Sequence, residues 1–291
     1  MTSLWTSMTF LLLGIISTSP QAQATRKIAP SPAQECQKSY ERFFAKYTID
    51  IRIIFGYKDT RPARFVGDRY ERIALVEALQ KPCFSNRFDC GFWRSRTDAD
   101  LLEKEILGPN QRKHRIEIRI TSSAAGPDDQ ENTHDPLQTW KSNEAKRVFL
   151  EGLKDADAVF YDGHSRDGGG PDFFPPRLDK NGHVAYQWYK THKPGLKEMQ
   201  QEIRKTHTLA KLIGLYSCVS NHLVPEHKKS MRTAWITYHK LFYFADALQS
   251  MKDSLSALLG SKCRKDFARV LQNHDRKKLT KNLTTSLSGF F

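Results

Sequence analysis

Five short apolar runs set the terms for this chain. Residues 47–55, 115–120, 156–161, 211–216 and 233–238 are rich in Ile, Val, Leu and aromatic residues. Runs of this length bounded by polar or Gly-containing stretches read as strands. Between and around them the apolar period lengthens to that of a helix: 33–46, 68–80, 137–153, 194–209, 241–259 and 264–271. Residues 98–107 read as a further short helix with Asp98 as its cap, while 121–135 and 166–176 read as loops. Alternating strands and helices predict an α/β fold, a three-layer sandwich whose central sheet is mostly parallel and covered by helices on both faces. No repeat or linker divides the chain, so one domain is expected over 47–275, preceded by a connector and helix over 25–46 and followed by a basic tail over 276–291.

The first 24 residues carry no charge, contain the run Phe10–Ile16 and end Ala22-Gln23-Ala24. A short apolar stretch before small residues reads as a secretory signal peptide, giving a mature start at Thr25 and a secreted or periplasmic location. No later segment is apolar enough to span a membrane, so no transmembrane segment is expected after cleavage. Export implies an oxidising compartment in which cysteines pair. The chain has five: Cys36, Cys83, Cys90, Cys218 and Cys263. Cys83 and Cys90 enclose a short polar stretch and make a natural local bridge, and Cys36 with Cys263 would tie the chain ends together, although four cysteines allow three connectivities. Cys218 is the remainder.

Two strands end in reactive residues: 156–161 runs into Asp162-Gly163-His164-Ser165, and 211–216 delivers Ser217 and Cys218. In open α/β sheets, functional groups collect where the carboxyl ends of strands meet loops. A neutral imidazole accepts a thiol proton and, once protonated, stabilises the thiolate, which is the nucleophilic form. Gly163 allows a sharp turn beside a substrate backbone, and amides near His164 and Cys218 are candidate oxyanion donors. The loop from Ser165 through Arg166 and Asp172 to Phe173 and Phe174 is expected to line the same cleft, with Arg166 and Asp172 offering charge to a substrate side chain.

The segments 157–165 and 211–220 resemble the caspase-hemoglobinase fold cysteine peptidases, the group of caspases, legumains, separases and gingipains. The Gly163-His164 and Cys218-Val219 pieces are most similar to the gingipain branch. The resemblance implies a caspase-like sheet, His164 as general base and acid, Cys218 as acyl-forming nucleophile, and Gly163, Ser165 and Ser217 near the oxyanion. Many of these enzymes carry glycine directly after the histidine, where this chain has Ser165, and alanine or glycine before the cysteine, where it has Ser217. The implied activity is endopeptidase cleavage through an acyl-enzyme.

Other chemistries have weaker sequence support. His164, Cys218, His222 and His227 with Asp162 or Asp172 are metal-ligand types, but Cys-x3-His-x4-His fits no closed structural zinc spacing, so no metal and no cofactor are expected. The glycine run 168–170 lacks the dinucleotide and phosphate-loop spacings. Asn282-Leu283-Thr284 is a glycosylation sequon. With 46 Lys and Arg against 32 Asp and Glu, the chain carries +14. That charge is scattered, which favours a basic surface able to meet an anionic partner over a specific nucleic-acid site. Two other functions share these features: a catalytically silent caspase-like binding module, and a basic envelope or polyanion-binding protein.

Overall fold

The structure is a computed structural model that describes residues 31–58, 67–84, 87–224, 233–239, 244–272 and 285–288. Residues 1–24, expected as a leader, residues 25–30 of the connector, His227, the sequon and the basic run 276–281 lie outside the described residues.

Strand β1 (Thr48–Phe55) shows how the sequence pattern becomes a layer. Ile49, Ile51, Ile53 and Phe55 point to one face and are fully buried, whereas Asp50 and Arg52 alternate with them and remain partly exposed. Such alternation is what a pleated strand requires when its two faces meet different surroundings. The remaining strands are β2 (Trp93–Arg94), β3 (Leu101–Leu107), β4 (Lys113–Ser122), β5 (Ala158–Asp162), β6 (Leu212–Tyr216), β7 (Ala234–Tyr238) and β8 (Thr285–Ser288). Among the described residues they form one eight-stranded sheet in the order β2-β3-β4-β1-β5-β6-β7-β8. The five central strands β4, β1, β5, β6 and β7 are parallel, and both edges are antiparallel.

Helices cover both faces, completing the three layers. On one side, α1 (Pro32–Phe43), α2 (Gly67–Gln80), α7 (Phe244–Leu259) and α8 (Arg264–Gln272) bury Tyr40, Phe43, Leu75, Leu79, Met251, Leu255 and Phe267 against the sheet. On the other, α4 (Gln138–Asp155) and α6 (Pro194–Lys205) bury Val148, Phe149, Leu153, Met199 and Ile203 against Ile54, Val159, Tyr161 and Ile213. At the amino ends of the central strands, buried Asp157 accepts from the Asp50 amide at 3.1 Å and from Lys211 at 2.8 Å, and pairs with Lys46 at 3.2 Å. One carboxylate thereby ties the starts of β1, β5 and β6. Disulfides join Cys36 to Cys263 and Cys83 to Cys90. No helix of the described residues is long and apolar enough to cross a membrane.

Three local expectations are corrected. Residues 101–107 form strand β3 instead of a helix, paired residue by residue with β4. Leu102 and Ile106 are four apart, a spacing that puts two residues on one face of either a helix or a strand. The reverse turn from Gly108 to Arg112 decides for the strand. Asp98 accepts from the Asp100 amide at 2.9 Å and pairs with Arg119 at 2.7 Å, making a turn instead of a helix cap. Within the expected loop 121–135, Asp128 caps a short helix, α3 (Asp129–His134). The basic tail is not wholly a tail, because β8 extends the sheet antiparallel to β7. A further helix, α5 (Tyr186–His192), stands in the crossover between β5 and β6.

Candidate active site

Leaving β1, the chain goes to β4 on one side and then returns to β5 on the other, so the direction of winding reverses between β1 and β5. A crevice opens outside the carboxyl ends of strands at such a reversal. His164 follows β5 at this point. Asp162 of β5 is the register partner of Tyr216 of β6, and His164 and Cys218 each come two residues later. Adjacent strands lie about 4.8 Å apart, so the two residues leave the sheet side by side on one rim. Polar contacts hold the segments together on both sides of them: the Gly163 amide donates to the Tyr216 carbonyl at 3.4 Å, and the Ser165 hydroxyl donates to the Cys218 carbonyl. His164 and Cys218 are both half-buried, and Cys218 is the cysteine outside the two disulfides.

The turn after Cys218 is sharp. Val219 has φ 54° and ψ 30°, a left-handed conformation that a β-branched residue rarely adopts, and it leads into a short 3₁₀ turn over Ser220–Leu223. Buried Ser220 compensates: its hydroxyl donates to the Leu215 carbonyl at 2.7 Å and accepts from the Tyr238 amide at 3.0 Å, stitching the ends of β6 and β7. Backbone strain of this kind persists only where surrounding contacts over-determine it, and it collects at functional sites. The sequence singled out the Cys218-Val219 pair, but not the left-handed turn at Val219. The alternation of β6 does place Ser220 beyond the strand, but not its partners.

The remaining expected site residues divide. Gly163 is needed for packing, since a Cβ there would overlap the Tyr161 hydroxyl and lie 3.0 Å from the Gly56 Cα. Ser217 is buried, and its hydroxyl has no hydrogen-bond partner among the described residues. His222 is exposed on the 3₁₀ turn. Arg166 and Asp172 pair with each other. The Arg166 side chain is only 1% exposed and forms an ion pair with Asp172, bracing the loop between them. Burial pushes the Asp172 carboxyl above the usual carboxylate range, with Arg166 pulling in the opposite direction. Phe173 is likewise spent on the core, in edge contact with Tyr161. Asp172, Phe173 and Phe174 of this loop, with Arg177, Trp188 and Glu198, line an open groove of about 390 Å³.

Beneath the rim lies a charge cluster that the sequence did not single out. Lys58, just past β1, is fully buried between Asp162 at 2.6 Å and Glu71 of α2. Burial alone would lower the Lys58 pKa, but the two carboxylates hold it above its ordinary value. Asp68, at the start of α2, accepts from the amides of Ser123 and Ala124 at 3.1 and 2.9 Å. Burial raises all three acids, Asp68 to about 7 and Glu71 to about 8, the latter also repelled by Asp162. Asp68, Glu71 and Asp162 each keep one buried oxygen without a hydrogen-bond partner among the described residues. Among the described residues no group of three or more His, Cys, Asp or Glu is arranged to hold a metal ion.

No protein-family model matches the chain, and no curated protein matches it.

Proposed function

We propose that the chain is an exported cysteine endopeptidase of caspase-like architecture. One observation carries this reading: parallel register brings the segments of His164 and Cys218 to adjacent positions on one rim, bound together by the contacts of Gly163 and Ser165. The strained residue after the thiol supports it. The two disulfides suit export into an oxidising compartment.

In this reaction the Cys218 thiol gives its proton to His164, and the thiolate attacks a peptide carbonyl carbon. Negative charge gathers on the carbonyl oxygen, where backbone amides of the two strand ends would receive it. The carbon–nitrogen bond then breaks as the His164 imidazolium protonates the leaving amine. Water, deprotonated by His164, hydrolyses the thioester and restores the thiol. Since Arg166 and Asp172 are spent on each other, selectivity for the substrate side chain falls to other residues around the crevice.

The test is to label the purified mature protein with iodoacetamide without reductant and assay a peptide library. Labelling at Cys218, with loss of turnover in both Cys218→Ala and His164→Ala, is expected. Turnover unchanged in either variant refutes the assignment.

A further inference from the structure

We infer that the Tyr161 hydroxyl positions His164 by closing the neck of the loop 164–172. This rests on the cysteine-peptidase reading.

Tyr161 is fully buried on β5, its ring in edge contact with Phe149 and Phe173 at centroid distances of 5.6 and 5.4 Å. Phenylalanine would fill that core equally well, and burying a hydroxyl is costly unless it is bonded. The hydroxyl lies 2.9 Å from the His164 carbonyl and 3.1 Å from the Asp172 carbonyl, and it accepts from the Asp172 amide at 2.7 Å. With one proton to give, it donates to one carbonyl at a time, and the shorter contact is to His164. A continuous bridge results, from the Asp172 N–H through the phenol to the His164 C=O.

The surroundings are cut to admit this oxygen. A Cβ at Gly56 or at Gly163 would overlap it, so two strands forgo side chains around one hydroxyl. The Asp172 carbonyl also accepts from the Tyr57 amide at 3.0 Å, which ties the same neck to the end of β1. Between the two legs the loop is tightly coiled, with positive φ at Arg166, Asp167, Gly168 and Gly170. The Arg166–Asp172 pair closes it a second time. His164 therefore hangs between a sheet strand and a coiled loop, and the phenol is what fixes its backbone to both. Without it, the His164 carbonyl and the Asp172 amide both lose a partner at a site where each would remain partly buried.

The experiment compares the wild type, Tyr161→Phe, His164→Ala and Tyr40→Phe. Tyr40 donates to the Lys262 carbonyl at 2.6 Å and serves as a buried-hydroxyl control remote from the rim. Two readouts are taken on each folded variant: the pH dependence of Cys218 alkylation by iodoacetamide, and kcat and KM on the peptide library. Tyr161→Phe is expected to move the alkylation profile toward that of His164→Ala and to lower kcat by about 100-fold, the usual penalty for roughly 1 Å of misplacement. KM should stay within about twofold, and Tyr40→Phe should change neither readout. A wild-type profile and kcat in Tyr161→Phe, with both altered in His164→Ala, overturns the positioning role and leaves the dyad standing. No change in His164→Ala overturns the dyad and this inference together. Should Tyr161→Phe not fold, Tyr161→4-fluorophenylalanine, which fills the hydroxyl's space without an O–H to donate, is held to the same outcomes.

Discussion

The buried cluster below the rim predicts that this protein loses stability as pH rises through neutrality. Asp68 ionises near 4 when unfolded, whereas burial raises it to about 7 in the folded chain. The folded state therefore binds more protons than the unfolded state between these values. Stability from this group is full below about pH 4 and is lost as pH climbs through 7. One proton of difference changes unfolding free energy by about 1.4 kcal/mol per pH unit, so Asp68 alone removes about 3 kcal/mol between pH 5 and 8. Glu71, raised to about 8, acts in the same direction, but it shares its environment with Asp162 and the two contributions do not simply add. Asp89, Asp98, Glu103, Glu144 and Glu202, which are lowered, contribute stability that is lost only as pH falls below the ordinary carboxylate range, outside this window. Urea denaturation followed by circular dichroism should show the midpoint falling by about 1 M from pH 5 to 8, given a slope near 3 kcal/mol/M for a chain this size. In Asp68→Asn, an amide oxygen can still accept from Ser123 and Ala124 without ionising, and the pH slope should flatten. A midpoint that is level or rising over this range, or an unchanged slope in Asp68→Asn, refutes the reasoning.

Removing Lys58 leaves Asp162 and Glu71 without their cation, so Lys58→Met should cost about 3–5 kcal/mol at pH 8 and markedly less at pH 5, as measured by urea titration at both values. Phe149→Ala empties the contact between α4 and Tyr161 and should cost about 3–5 kcal/mol in the same assay. Loss of the Cys36–Cys263 bridge, which spans 227 positions, should destabilise by about 5 kcal/mol, against about 2–3 kcal/mol for the Cys83–Cys90 bridge spanning 7, by loop-closure entropy. Paired Cys→Ser double variants compared by thermal and urea unfolding check that order. Ser165→Ala removes the link to the Cys218 carbonyl and should lower kcat on the peptide library while leaving global stability within about 1–2 kcal/mol.

The central layer was legible because its information is local. Ile49, Ile51 and Ile53 alternate with Asp50 and Arg52, and that period can be satisfied only by a strand with two different faces. The two strand-end motifs, with five cysteines of which four pair locally or across the chain ends, likewise pointed to His164 and Cys218 without reference to neighbours. Where local signals are degenerate, the reading failed: Leu102 and Ile106 fit either period, and only the hairpin partner on β4 selects the strand. Arg166 and Asp172 carry charge in a glycine-rich loop, which by sequence alone suits a substrate wall. Their mutual pairing depends on the loop closing over Tyr161.

Periodicity, cysteine parity and the place of His164 and Cys218 at strand ends were thus determined by the order of residues, because each involves groups a few positions apart or a simple count. Tertiary structure alone decided what Lys58 neutralises and why Gly56 lacks a side chain. Those contacts join positions as distant as Lys58 and Asp162, and no spacing along the chain encodes a meeting that only the parallel pairing of β1 with β5 creates.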